Sequence, residues 1–275
     1  YATACFGKWH LGWQKEFLPL QHGFDEYVGL PYSNDMWPHS NVTGERLPEG
    51  KGRGDYPELP LIEGNETIET ITSLEDQDKL TTLYTEKAVD FIHRNADEPF
   101  FLYVPHTMAH IPLGVSDKFR GKSEQGLYGD VMMEIDWSMG EILKAVEENG
   151  LTDNTIVMFT TDNGPWLNFG NHAGSAGGLR EGKTTSWEGG QRVPFIVKWP
   201  GNIPEGTICN KLACAIDLLP TLATITGGKL SENKIDGVDI SSLFKGNFES
   251  SPRKSILYYY GKNHLNAVRK GNWKL

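Results

Sequence analysis

Asp162 and Asn163, within Thr160-Thr161-Asp162-Asn163-Gly164, set a carboxylate and an amide oxygen side by side directly after the apolar run Thr155-Ile156-Val157-Met158-Phe159. Oxygen donors of this kind suit a hard cation. Calcium takes about six to eight oxygen ligands and magnesium about six, so one Asp-Asn pair needs further ligands from elsewhere or from the substrate. The same residues also make a good Asx turn. Downstream, Gly182-Lys183-Thr184-Thr185-Ser186-Trp187-Glu188-Gly189-Gly190 holds one lysine among glycines and small residues, a loop able to bring an ammonium close to an anion or simply to carry a solvated lysine. Together the two stretches suggest a hard-metal site beside an anion-binding lysine.

Other residues could join such a site. In Gly7-Lys8-Trp9-His10-Leu11-Gly12, an extended backbone would turn Lys8 and His10 to one face and Trp9 to the other. An ammonium beside an imidazole suits a developing anion and a proton transfer, although a surface lysine and a histidine near a turn read the same way. His106 and His110 lie four apart, but Pro105 and Pro112 bracket them and argue against a shared helix face, hence against a zinc pair. His106 reads as structural. His110, ahead of Ile111-Pro112, is the candidate acid or anion contact. Ser33, in Pro31-Tyr32-Ser33-Asn34-Asp35, has no meaning without its surroundings. Cys5, flanked by Ala4 and Phe6, reads as a buried structural thiol.

The elements that must position these residues are legible from periodicity. The 155–161 run predicts a fully buried strand, and the carboxyl edge of an open α/β sheet is where ligands and metals bind. A second strand is expected at 99–104, with others at 193–199 and 255–260. Leu80, Leu83, Tyr84, Ala88, Phe91 and Ile92 recur at helical spacing within 79–95, and Tyr128 through Val146 do so in a longer stretch closed by Asn149-Gly150. Another helix is expected around 217–225. Residues 31–78 show no sustained period and are rich in Pro, Gly and acidic residues, as functional or mobile segments are. Strands alternating with helices predict an α/β fold: a mainly parallel, mixed central sheet with helices on both faces and right-handed crossovers.

Bulk properties narrow the function classes. The 275 residues are 38% apolar and 23% charged, an ordinary globular composition. Net charge is −10, which argues against nucleic acid as a partner and requires any anionic substrate to meet a local basic pocket. No apolar run approaches the ~18 residues of a membrane span. Three cysteines without zinc spacing leave the redox compartment open. Asn41-Val42-Thr43 and Asn65-Glu66-Thr67 fit the glycosylation pattern, and a signal peptide is not observable in a chain that starts at Tyr1.

In their order along the chain these signals resemble the type I sulfatases, in the arylsulfatase A and N-acetylgalactosamine-6-sulfatase branch of the alkaline-phosphatase-like superfamily. The residues that carry the resemblance are Tyr1-Ala2-Thr3-Ala4-Cys5-Phe6-Gly7-Lys8-Trp9-His10, His22-Gly23-Phe24-Asp25-Glu26-Tyr27, Leu30-Pro31-Tyr32-Ser33, Phe100-Phe101-Leu102-Tyr103 leading to His110, Thr161-Asp162-Asn163-Gly164, and Gly182-Lys183 through Glu188-Gly189-Gly190. The resemblance implies hydrolysis of aryl or carbohydrate sulfate esters by a formylglycine made from the cysteine of a C-x-P/A-x-R motif. It implies Asp162 and Asn163 as calcium ligands, with magnesium the lesser alternative. Lys8 and Lys183 would neutralise the sulfate oxygens, His10 would bond the formylglycine hydrate, His110 would act on the leaving alcohol, and Ser33 would be a further substrate contact. A secreted, periplasmic or lysosomal location goes with the family.

The departures are equally specific. No C-x-P/A-x-R occurs in the chain, and the family's N-terminal pair of metal-binding aspartates is absent. Val268 through Leu275 resembles the opening of the family's small C-terminal sheet. The expected division is therefore a partial catalytic domain, 1–252, followed by the beginning of a C-terminal subdomain, 253–275, with the nucleophile outside the chain and the fragment inactive alone. Two other readings are a phosphodiesterase or phosphonate hydrolase of the same superfamily, and a non-catalytic binding protein on the same fold. Trp37, Trp166 and Trp187 are candidates to stack on a sugar ring, with burial as the plainer alternative.

Overall fold

Continuous burial of Ala4, Cys5 and Phe6 in Ala2–Phe6 (β1) reflects a strand with neighbours on both edges and cover on both faces. The computed structural model describes residues 1–275 apart from Lys51 and Lys262. The chain divides into two compact units, Tyr1–Leu151 with Asn168–Gly174, and Thr152–Leu167 with Ser175–Leu275.

In the first unit, β1 is followed by β2 (Glu26–Gly29), β3 (Leu59–Glu63), β4 (Glu66–Ile71), α1 (Leu74–Asp78), α2 (Leu80–Arg94), β5 (Phe100–Tyr103) and α3 (Gly126–Glu148). The sheet order is β4-β3-β2-β1-β5. β1 runs parallel to both β2 and β5, while β3 pairs antiparallel with β2 and with β4, so the sheet is mixed. One face carries Ala4, Phe6, Val28, Leu30, Leu59 and Leu61 against Leu80, Tyr84, Ala88, Phe91 and Ile92 of α2, with Ile142, Ala145 and Val146 of α3 joining the same core. Each of these large side chains contributes roughly 1.5–3 kcal/mol by leaving water. The other face buries Cys5, Tyr27 and Ile62 beneath Leu18 and the short helical turns Lys15–Phe17 and Pro19–Gln21.

The helix ends follow their sequence signals. Ser73 and Asp76 form a capping box at the start of α1. At the end of α3, Leu151 N donates to Val146 O and Gly150 N to Glu147 O, each at 2.9 Å, with Gly150 at φ 68°. That is the Schellman closure expected of Asn149-Gly150.

The second unit holds β6 (Val157–Thr160), α4 (Glu188–Gln191), β7 (Phe195–Lys198), α5 (Leu218–Thr226), α6 (Ser241–Phe244), β8 (Ser255–Tyr260), β9 (His264–Lys270) and β10 (Trp273–Lys274). β6 and β7 pair antiparallel, and β8, β9 and β10 form an antiparallel three-stranded sheet. Ile240, Leu243 and Phe244 make the core here, joined by Met158, Val197, Leu218 and Ile225. Arg253 and Asp217 form a buried ion pair beneath α5, with Asp217 also accepting from Cys214 N and Val238 N at 2.9 Å each. Those added bonds offset the cost of burying the charge.

Two expectations need adjustment. β6 is half-buried in its two-stranded sheet rather than covered on both faces, because α5 and α6 supply cover on one side only. The 31–78 segment contains the β3–β4 hairpin, turned at Gly64-Asn65 with Gly64 at φ 63°. A Gly-Asn pair between β-branched runs is a hairpin signal.

Candidate active site

In the first unit the chain leaves β1 at Gly7 and continues between the segments that follow β2 and β5. Gly7 N donates to Val28 O at 2.9 Å, Lys8 N to Pro105 O at 2.7 Å, Trp9 N to Leu30 O at 2.9 Å and His10 N to Pro31 O at 3.0 Å. Gly7 sits at φ 143°, and a Cβ there would lie 2.1 Å from Pro105 O. A Cβ on Gly29 would lie 1.7 Å from Gly7 O. Only glycine lets the backbones come this close, and the result carries Lys8 and His10 to the carboxyl ends of three parallel strands. Trp9 points to the interior, its Nε1 donating to Phe17 O at 2.6 Å beside Leu20 and Phe24. Lys8 is half-buried and His10 exposed. His10 takes a left-handed backbone, φ 59°, so the extended alternation ends there.

Ser33 follows the β2 extension and is 3% exposed, with its Oγ unpartnered among the described residues. Asn34 is anchored through Nδ2 to Gln77 Oε1 at 2.9 Å and to Pro112 O at 3.0 Å. Asp35 pairs with Arg53 at 3.0 Å and lies 3.9 Å from His110 Nδ1. That nitrogen is also 2.8 Å from Ile111 O. A carbonyl oxygen only accepts, so Nδ1 carries a proton and Nε2 is the nitrogen that exchanges one. His110 and the Ser33–Asp35 segment thus meet through Asp35. The sequence reading missed Asp35 and Arg53; the run Ser33-Asn34-Asp35, three polar residues in a buried stretch, was the signal for them.

The structural readings of two other residues hold. Cys5 is buried, and burial pushes its thiol up to about 12. His106 is half-buried with its Nδ1 shut away from solvent and Nε2 3.1 Å from Ser138 Oγ, and burial of the ring lowers its pKa to about 4.

In the second unit, β6 delivers Asp162 and Asn163 to an exposed and a half-buried position, respectively. Asn163 Nδ2 donates to Gly164 O at 3.2 Å, leaving Oδ1 as the end with cation chemistry. Gly164 N donates to Gly190 O at 3.1 Å, and Lys183 N to Pro165 O at 2.8 Å. The two loops interleave without room for side chains. A Cβ on Gly164 would lie 1.7 Å from Gly189 O, on Gly182 2.2 Å from Pro165 O, and on Gly189 2.0 Å from Glu181 O. Asp162, Asn163 and Lys183 are therefore brought together by the backbone. Lys183 Nζ stands 5.0 Å from the Trp166 ring, a cation–π contact.

Asp162 and Asn163 offer oxygen donors that fit calcium or magnesium in kind. Among the described residues no cluster of three or more His, Cys, Asp or Glu gathers to hold a metal, so the pair is part of a donor set. Of the tryptophans considered for sugar stacking, Trp37 is fully buried with Nε1 donating to Asn41 Oδ1 at 2.8 Å, which removes it from that role. Trp187 is 47% exposed, with Arg180 3.7 Å over its ring.

Comparison with known proteins places these features in company. The family model described as Sulfatase matches residues 1–228. N-acetylgalactosamine-6-sulfatase of Mus musculus is 38% identical, the match covering 100% of this chain and 52% of that protein. Arylsulfatase A of Bos taurus is also 38% identical, covering 100% of this chain and 55% of its own. The solved structure of the PsFucS1 sulfatase from Pseudoalteromonas sp. superposes with a TM-score of 0.88 at 27% identity, covering 100% of this chain and 58% of that one. The chain thus spans about half the length of the curated relatives it matches.

Proposed function

The chain belongs to the sulfatase family, and from that premise we propose that the whole protein hydrolyses sulfate monoesters, of an aryl alcohol or a sugar. The observation that carries the reading is the glycine-walled junction in the second unit, where the loop of Asp162 and Asn163 and the backbone of Lys183 are held together by Gly164 N to Gly190 O and Lys183 N to Pro165 O. A sulfate ester presents that junction with three oxygens that already share its negative charge, while the electron pair of the breaking S–O bond goes to the alcohol oxygen. Lys183 would neutralise those oxygens, the electrostatic share of the rate enhancement, and in the first unit the same chemistry is open to Lys8. His110, with Nδ1 held by Ile111 O, would deliver a proton from Nε2 to the leaving alcohol. In the first unit, Ser33 would be a substrate contact and His10 would exchange protons on the nucleophile's side.

Calcium, held by Asp162 and Asn163 with ligands beyond this pair, would supply fixed positive charge. No C-x-P/A-x-R occurs in these 275 residues, so the formylglycine nucleophile is not assigned to any residue here. We take 1–252 as catalytic and 253–275 as the start of the C-terminal subdomain, and propose a secreted, periplasmic or lysosomal protein. Among the described residues no helix is long and apolar enough to cross a membrane.

The test uses the whole protein and measures sulfate release with and without added calcium. Asp162→Ala should lose turnover by at least about a hundredfold together with its calcium response. Retained activity that still responds to calcium would sink the metal assignment.

A further inference from the structure

The loop that carries Lys183 is gripped from outside itself. Glu188 stands at the start of α4, and its Oε2 accepts from Arg269 Nη1 at 2.9 Å while Oε1 lies 3.0 Å from Lys274 Nζ. Lys274 also donates to Ser186 O, and its Nζ sits 4.0 Å over the Tyr258 ring. A guanidinium from β9 and an ammonium from β10 therefore hold 186–188 from two directions. The side chains of Glu188, Arg269 and Lys274 are only 27, 27 and 20% exposed, so solvent screens them less than an open surface pair. Burial opposes ionisation of Glu188, but Lys274, with Arg269 and Arg192, outweighs it and holds the carboxyl below its ordinary range.

What Glu188 does propagates through short backbone bonds. The next two amides close the loop, Gly189 N on Arg180 O at 2.8 Å and Gly190 N on Trp187 O at 3.0 Å. Gly190 O in turn accepts from Gly164 N, one residue past Asn163. A Cβ on Gly190 would sit 2.4 Å from Gly182 O, the carbonyl just ahead of Lys183. A shift at Glu188 thus has no slack in which to be absorbed before it reaches Lys183 on one side and Asn163 on the other.

We infer that Glu188, clamped by Arg269 and Lys274 of the C-terminal sheet, is a positioning residue that fixes Lys183 against the Asp162-Asn163 loop. The inference rests on the reading of Lys183 as a sulfate contact. It gives the small antiparallel sheet a task beyond stability: its last strand keeps the anion-binding loop in register.

The experiment compares Glu188→Gln, Lys183→Ala and the double variant in the whole protein, with hydrogen exchange read alongside turnover. Glu188→Gln should lower kcat about tenfold while KM moves less than about twofold. Exchange at the Gly189 and Gly190 amides should rise. In the Lys183→Ala background the same change should cost less than about twofold, because residues acting through one another are not additive. An undiminished kcat with unchanged exchange overturns the inference. So does a tenfold loss that persists in full without Lys183. If Lys183→Ala loses about a hundredfold and Glu188→Gln loses nothing, the positioning role fails and the sulfate contact stands. If Lys183→Ala itself is silent, both fail. Should Glu188→Gln not fold, Lys274→Met keeps the stem and removes the charge, and carries the same expectations.

Discussion

His110 is the residue whose chemistry the geometry defines most closely. Its Nδ1 is committed to Ile111 O at 2.8 Å with Asp35 3.9 Å away, so the proposed proton transfer falls to Nε2. A general acid matters in proportion to how poor the leaving group is. His110→Ala should cut turnover of an alkyl or sugar sulfate by about 10²–10⁴, the usual worth of such a group, yet cost less than about tenfold with 4-nitrophenyl sulfate, whose phenolate leaves unaided. Equal losses on both substrates would assign His110 to binding instead. At this scale the sequence named His110 and Ser33 but not the residue that joins them. Asp35 touches His110 across 75 positions of chain, and spacing along a sequence carries no information about such a contact.

At the scale of elements, His106 ties the start of the 105–112 loop to α3 through Ser138, and Ser138 in turn accepts from Thr85 of α2 at 2.6 Å. Its ring is held neutral by burial, with a pKa of about 4 against an ordinary 6.5. The unfolded chain takes up a proton as pH falls below about 6.5 and the folded one resists until about 4, so stability is full above that window and falls through it, by roughly 3 kcal/mol in all. His106→Gln should flatten that acid limb in urea titrations run from pH 7 to pH 4. An unchanged limb would place the proton uptake on other groups. Helices α2, α3 and α5 were plain from periodicity, α2 within a residue of its expected bounds, because an apolar stripe is a local signal; the short α1, α4 and α6 show too few turns for one. The β3–β4 hairpin was not, since its strands are partly exposed and Ile68 points outward. Nor could an unbroken apolar run say whether β6 would be covered on one face or two.

For the whole molecule, the acidic balance of −10 and the relatives' greater length bear on the same point. On the proposed reading, positive charge for an anionic substrate falls to a few lysines and a cation, for which Asp162 and Asn163 are the proposed donors within these residues. The 275-residue chain should therefore bind calcium no more tightly than about 10⁻³ M by calorimetry, at the weak end of protein calcium sites. A micromolar site would mean that a full donor set exists within these residues. The order of motifs along the chain was enough to indicate family and fold. Which residues hold those motifs in place was not, because Arg269 and Lys274 reach Glu188 from more than eighty positions away.

The crossing at Gly164 and Gly189 has a bearing on how this protein can vary. With 1.7 Å between a would-be side chain and the opposing carbonyl, no amino acid but glycine fits, whatever the substrate. Asp162, Asn163 and Lys183 are restricted for a different reason, their charge and donor atoms. Constancy along 162–164 and 182–190 among descendants of this chain would therefore mix selection for room with selection for chemistry. A lineage that lost the reaction would be free to change its aspartate and lysine while still keeping every glycine.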